Sequence, residues 1–286
     1  MSSECMEKKM MCFGNGERRL WKRVMCVFPP LVTMCIFVNV YIYRLELKTN
    51  NIQMKTVKYK VAVLVPFRDC HEELQQFAPH IFKYLNDRAI PHRIYVINQL
   101  DNFRFNRAAL INIGFLNMDS DCDYIVMHDI DHLEVNPNFD FGYPGKGPVH
   151  LSYSKYKGHV GGVLVMTNEH FRMLNGMSND FWGWGKEDDD LYQRMLKVGL
   201  QVSQPVASNW SNFRYIHNVE KRSRDKATYF NQNRFRSIFN MRSGLNSTKY
   251  TLQSRNTSVV NGTTVHFINV ILHCDLQKTR FCLKGK

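Results

Sequence analysis

Hydrophobic residues in this chain fall into short blocks whose spacing changes from one block to the next. Tyr59 to Val65 (YKVAVLV) is a β-branched run closed by Pro66, and it predicts a buried strand. From Glu72 to Arg88 the apolar positions Leu74, Phe77, Ile81 and Leu85 recur at three- and four-residue intervals, the stripe of an amphipathic helix. Arg93 to Gln99 (RIYVINQ) predicts a second strand, and Tyr124 to His128 (YIVMH) a third. Between them, Asn106 to Asn117 predicts a helix with Ala109, Leu110, Ile113 and Leu116 facing inward. Strands alternating with helices predict an α/β domain built on a mostly parallel sheet with right-handed crossovers. Ligands of such sheets sit beyond the carboxyl ends of the strands. Pro66-Phe67-Arg68, Asn98-Gln99 and Asp129-Ile130-Asp131 all fall at those ends.

The amino-terminal pattern is of another kind. Val24 to Tyr43 is a run of 20 residues without a charged side chain, the length that crosses a hydrocarbon core of about 30 Å. Pro29, Pro30 and Asn39 interrupt it, and a lipid span tolerates both kinds of interruption. Lys8, Lys9, Arg18, Arg19, Lys22 and Arg23 precede it against Glu4, Glu7 and Glu17, so the positive-inside rule keeps the amino terminus cytoplasmic. A cleaved signal peptide is the competing reading, but the run exceeds a signal core and no small-x-small cleavage site follows. The expected organisation is a tail at 1–23, a signal-anchor at 24–43, a short stem at 44–58 and a luminal catalytic domain at 59–286. No internal repeat or low-complexity tract is visible, and the body is long enough for one domain with a sizeable core.

Composition agrees with that compartment. Sequons stand at Asn209, Asn246, Asn256 and Asn261, clustered in the last third of the chain. Of the 8 cysteines, Cys70, Cys122, Cys274 and Cys282 fall on the oxidising side. Cys274 and Cys282 are near enough in the chain to close a small terminal loop and are the preferred pair, although spacing alone does not fix connectivity. Four thiols could also hold zinc, but no CxxC or His-rich partner set accompanies them. The net charge of +13 is spread rather than blocked, which suits anionic partners such as nucleotide diphosphates or acidic glycans. Nucleic acid would require the wrong compartment.

Two segments carry candidate chemistry. In Phe181-Trp182-Gly183-Trp184-Gly185-Lys186-Glu187-Asp188-Asp189-Asp190, an aromatic wall that a ligand can approach closely runs directly into four acids. The bland alternative is a buried aromatic turn leading into an acidic helix start. Asp129-Ile130-Asp131 ends a hydrophobic strand, where one carboxylate can bind a divalent cation while its neighbour meets a sugar hydroxyl. Asp-x-Asp alone is weak; followed by an acidic, Trp-rich segment it is specific.

With these residues in place, the chain resembles the β1,4-galactosyltransferases. The shared motifs are Pro66-Phe67-Arg68, Phe105-Asn106-Arg107-Ala108, Asp129-Ile130-Asp131, Gly161-Gly162-Val163 and Trp182-Gly183-Trp184-Gly185-Lys186-Glu187-Asp188-Asp189. Arg104 to Asn112, Asn175 to Asn179 and Ile268 to Asp275 look like the branch that adds galactose to the xylose of the proteoglycan linker. The resemblance implies a GT-A fold and an inverting, Mn²⁺-dependent transfer from UDP-galactose to a xylosylated protein or xyloside. It also implies a single-pass type II protein of the Golgi membrane, anchored through 24–43. By position, Asp131 and His217 are implied as metal ligands and Asp188 as general base beside Glu187. Pro66, Phe67, Arg68, Phe105, Asn106, Arg107, Asp129, Gly162, Trp182, Trp184 and Asp189 are implied as substrate contacts. Phe67 would touch uracil, Trp184 cover the donor and Trp182 shape the acceptor slot.

Some positions depart from the family pattern. Tyr215 stands where a first imidazole of a His-x-His pair is expected, and a neutral phenol is a poor Mn²⁺ ligand, so a water or a changed loop is expected to fill the place. His159 replaces an aromatic residue, and His132 and Glu134 replace Leu and Pro. Asn218 to Phe235 is polar and basic; it reads either as a solvated surface loop or, as the resemblance implies, as a lid over the donor. Two alternatives stay open: a transferase using another donor such as a UDP-N-acetylhexosamine, and a catalytically silent glycan-binding protein.

Overall fold

The computed structural model describes Asn39 and residues 59–152, 158–205, 210–236, 241–277 and 280–284. The chain divides into two compact units, Met1–Val57 and Lys58–Lys286. The expected span and stem lie outside the described residues, Asn39 excepted, and no described helix is long and apolar enough to cross a membrane.

The second unit is built on a seven-stranded sheet. Its strands are β1 (Val61–Phe67), β2 (His92–Gln99), β3 (Tyr124–His128), β5 (Val149–His150), β6 (Val163–Thr167), β8 (Tyr250–Val260) and β9 (Thr263–Leu272). In space they run β5-β6-β3-β1-β2-β9-β8. The four central strands, β3, β1, β2 and β9, pair in parallel, whereas β6, β5 and β8 are added antiparallel. The expected mostly parallel sheet is therefore a mixed one with a parallel centre. The β1 strand is buried at all seven positions, which explains why it reads as an unbroken apolar run rather than an alternating one.

Alternate residues of these strands feed two cores. Ala62 and Leu64 pack with α2 (Arg107–Asn117) on one side, and Val61, Val63 and Val65 pack with α1 (His71–Asn86) on the other. Gly114 lets α2 lie close to the sheet, since a Cβ there would meet Ile97 Cδ1 at 2.8 Å. Between β6 and β7 (Phe213–Tyr215) run α3 (Asn168–Met173) and α4 (Glu187–Lys197), and α5 (Tyr229–Arg236) follows β7. A second, two-stranded sheet pairs β4 (His132–Glu134) with β7 (Phe213–Tyr215) directly after the Asp129-Ile130-Asp131 turn. At the far edge, β8 is exposed at most of its 11 positions on both faces and is joined to β9 by Asn261-Gly262, both at positive φ. Cys274 and Cys282 are bridged in the terminal loop, and Cys70 and Cys122 are free thiols.

Candidate active site

The turn after β3 is fixed at both ends. Asp129 N donates to Gly162 O at 2.9 Å. Behind the turn, His128 on β3 and Glu134 on β4 are fully buried and form an ion pair through His128 Nε2 and Glu134 Oε1. Burial works against both charges, but the pairing wins: Glu134 is pulled down to about 2 and His128 is pushed up. The Asp131 carboxylate then lies between two imidazoles. Its Oδ1 is 2.8 Å from His132 Nδ1 and its Oδ2 is 3.3 Å from His217 Nδ1. Burial raises the Asp131 pKa, and the His132 hydrogen bond with the two nearby imidazoles more than reverses that, leaving it below the ordinary value. Donor atoms of Asp129, Asp131 and His132 lie within 4.8 Å of one another. His217 Nε2 is buried without a hydrogen-bond partner among the described residues. Two carboxylates with imidazole nitrogen, one nitrogen orphaned, are a donor set that fits a divalent first-row ion such as Mn²⁺.

The acidic wall is set by left-handed backbone. Gly183, Gly185 and Lys186 have φ of 91°, 100° and 77°. A Cβ on Gly183 would lie 2.8 Å from Thr228 Oγ1, and one on Gly185 2.9 Å from the Tyr229 ring, so the glycines answer both conformation and space. This turn starts α4 with Glu187 and Asp188 pointing into the protein. Trp184 remains 39% exposed and stacks on Tyr229 with ring centroids 5.7 Å apart. Arg224 and Lys226 lie 5.3 and 5.4 Å from its ring centre.

One arginine joins the two carboxylate groups. Arg107, the first residue of α2, places Nε 2.6 Å from Asp129 Oδ1 and an Nη 3.0 Å from Asp188 Oδ1. It is thereby held firmly protonated against the effect of burial. Burial pushes Asp188 up despite Arg107 and His159. Glu187 is 8% exposed, has an unpartnered Oε2, and is driven to about 8 by burial and the adjoining Asp188. Gly161 makes room for the Asp188 carboxylate, because a Cβ there would stand 2.3 Å from Asp188 Oδ2. The cluster can take up a proton at a carboxylate next to an aromatic platform and a metal-binding turn.

The other residues expected at the site also have defined contacts within the fold. Phe67 is 1% exposed and packs edge-on against His71 and Phe267. Asn106, fully buried, caps α2 by accepting from Ala109 N at 2.9 Å and donating to Asn179 O at 2.8 Å. Trp182 is 4% exposed, and its carbonyl accepts from Thr228 and Gln232. Pro66 is buried in β1. Arg68 donates to Phe103 O at 2.7 Å and lies over the Phe105 ring. Gly162, at φ 83°, would bring a Cβ within 2.4 Å of Ser152 Oγ. Asp189 pairs with Lys186 at 3.2 Å.

The segment expected as a lid is tied to α1, Arg104 and the Trp182–Trp184 stretch. Lys221 meets Glu72 at 2.5 Å, Arg222 pairs with Glu73, and Asp225 pairs with Arg104. Its last part, expected to be loop, forms α5, which is anchored through Thr228 and Gln232 to Trp182 O. Those two anchors and Asp225 escape a sequence reading, because their partners lie far away in the chain. Of the sequons, Asn246, Asn256 and Asn261 are exposed, and Asn209 lies outside the described residues.

Known proteins resemble this chain in sequence and fold. Residues 50–141 match the N-terminal region of glycosyl transferase group 7, and residues 149–219 match the family described as the N-terminal domain of galactosyltransferase. Beta-1,4-galactosyltransferase 7 of Homo sapiens is 43% identical over 232 residues, covering 78% of this chain and 71% of that protein. Xylosylprotein 4-beta-galactosyltransferase of Caenorhabditis elegans is 42% identical over 243 residues, covering 80% and 84%. The crystal structure of the Drosophila β1,4-galactosyltransferase 7 catalytic domain with xylobiose superposes with a TM-score of 0.75 at 41% identity, covering 79% of this chain and all of that one. A mutant of the fly enzyme in complex with manganese, UDP-Gal and xylobiose gives a TM-score of 0.74 at 41% identity, covering 78% and 98%.

Proposed function

The chain belongs to the β1,4-galactosyltransferase family, and from that premise we propose that it moves galactose from UDP-galactose to the 4-hydroxyl of xylose in the proteoglycan linker. The observation that carries this is the Arg107 bridge, which holds Asp188 beside the Asp129-Ile130-Asp131 turn. Asp131 and His217 would hold the Mn²⁺, which when bound supplies positive charge to the diphosphate leaving group. Asp188 accepts the proton of the acceptor hydroxyl while that oxygen bonds to the anomeric carbon. The bond from this carbon to the diphosphate oxygen breaks on the opposite face, turning an α-linkage into a β-linkage. Burial makes the Asp188 carboxylate a stronger base than an exposed aspartate. Arg107 fixes its direction. Trp184 offers a sugar-sized aromatic face, and the basic segment with Arg224 and Lys226 closes over the anionic donor.

The apolar run 24–43 acts as a signal-anchor, the body faces the Golgi lumen, and the exposed sequons carry glycans. Mn²⁺-dependent release of UDP from UDP-galactose with a xyloside acceptor tests the function. Asp188→Asn keeps shape but cannot take the proton; transfer is expected to fall about 10²–10⁴-fold with UDP affinity nearly intact. Transfer within a few-fold of the parent would remove Asp188 from this role. Metal-independent glycan binding without UDP release would favour the silent alternative that Tyr215 brings to mind.

A further inference from the structure

Tyr215 leaves the metal turn short of a nitrogen on β7, and the strand facing it supplies one. In the β4–β7 pair the residue directly opposite Tyr215 is His132. The two rings meet edge to face with centroids 4.7 Å apart, and Phe213 packs on the other part of the His132 ring at 5.8 Å. His132 Nε2 looks toward Gly162, where an added Cβ would come within 3.1 Å. The ring is therefore held on three sides with Nδ1 directed at the Asp131 carboxylate, 2.8 Å away. That separation is close to the roughly 3 Å between adjacent donors on an octahedral ion whose bonds are about 2.1 Å. Asp129, Asp131 and His132 already form a group of donors that could hold one ion. A phenol is neutral at ordinary pH and a weak donor, whereas imidazole is the commonest side-chain metal ligand.

We propose that His132 is a protein ligand of the Mn²⁺ site through Nδ1, together with Asp131 and His217, and that Tyr215 serves as the wall that orients it. The proposal rests on the placement of Mn²⁺ at Asp131 given above. It makes the exchange of residues at 132 and 215 a transfer of one imidazole between facing strands, preserving two nitrogens at the metal.

The test uses the full chain and Mn²⁺ alone, with binding read from the loss of the free-ion EPR signal and with metal-bound nitrogens counted by pulsed EPR after ¹⁵N-histidine labelling. Two coupled histidine nitrogens are expected in the parent and one in His132→Ala, whose Mn²⁺ affinity should fall at least about 10–100-fold. The double variant His132→Leu with Tyr215→His should return the second nitrogen and most of the affinity. A parent with a single coupled nitrogen, or His132→Ala with two and unchanged affinity, overturns the proposal. Asp131→Asn and His217→Ala separate the two failures. If they too bind Mn²⁺ like the parent, the metal placement itself is wrong; if they lose it while His132→Ala does not, only the role of His132 falls. The parent count requires no variant to fold.

Discussion

Two buried glutamates, Glu134 and Glu187, are driven in opposite directions by what surrounds them. Glu134 is paired with buried His128 and is held at about 2, whereas Glu187 has an unpartnered oxygen, a carboxylate neighbour, and a pKa of about 8. The signs follow from linkage. Glu134 contributes stability above its ordinary 4.5 and loses it as pH falls through about 2, while the raised pKa of His128 gives a contribution full below 6.5 and lost as pH rises. Glu187 behaves as His128 does: its contribution is full below 4.5 and disappears as pH rises through about 8. Glu187→Gln should therefore melt with a flatter pH dependence between these values and should gain on the parent above pH 8. Thermal melting across that range checks this, and a parent-like slope would show that Glu187 is ionised in the fold. Glu134→Gln should instead lower the melting temperature at every pH in the middle range, because it strands a buried imidazolium.

At the scale of elements, α2 shows how a binding motif can double as a structural one. Asn106 closes the first turn of the helix, and Arg107, the next residue, is held between Asp129 and Asp188 by those two carboxylates. Asn106→Ala should cost about 1–3 kcal/mol in denaturant unfolding, from the lost cap and the unmet Asn179 carbonyl. Because Arg107 would still have both carboxylates, UDP affinity of the folded fraction should change little; a large specific loss would restore Asn106 as a nucleotide contact. An Asn just before a helical stripe is an N-cap signal in any sequence, but here it lay inside a motif whose resemblance pointed to substrate. The strands β1, β2 and β3 were legible because burial on both faces leaves an unbroken apolar run, and the Trp-Gly-Trp-Gly turn was legible because its left-handed backbone requires glycine. The burial of Phe67 was not: which face a ring at a strand end presents depends on register, and composition does not carry that choice. His132 stood out only as a departure, since its meaning depends on a cross-strand partner 83 positions away, Tyr215.

For the whole molecule, the charge balance and the hydropathy pattern agree on one assignment of surfaces. The excess of 13 positive charges and the Arg224–Lys226 segment over Trp184 suit an anionic donor, so added salt should raise the KM for UDP-galactose more than that for a neutral xyloside. Kinetics at two ionic strengths check this, and equal shifts in the two constants would place the attraction elsewhere. The β8 strand bears on a different property, colloidal behaviour. Eleven residues at the rim of a sheet, wet on both faces, offer a foreign chain an open ladder of main-chain donors and acceptors, and few like charges along it discourage stacking. Asn256 stands within that ladder and Asn261 at its tip, each heading a sequon. A carbohydrate there would act as a steric fender, making solubility a product of the compartment in which the chain is folded.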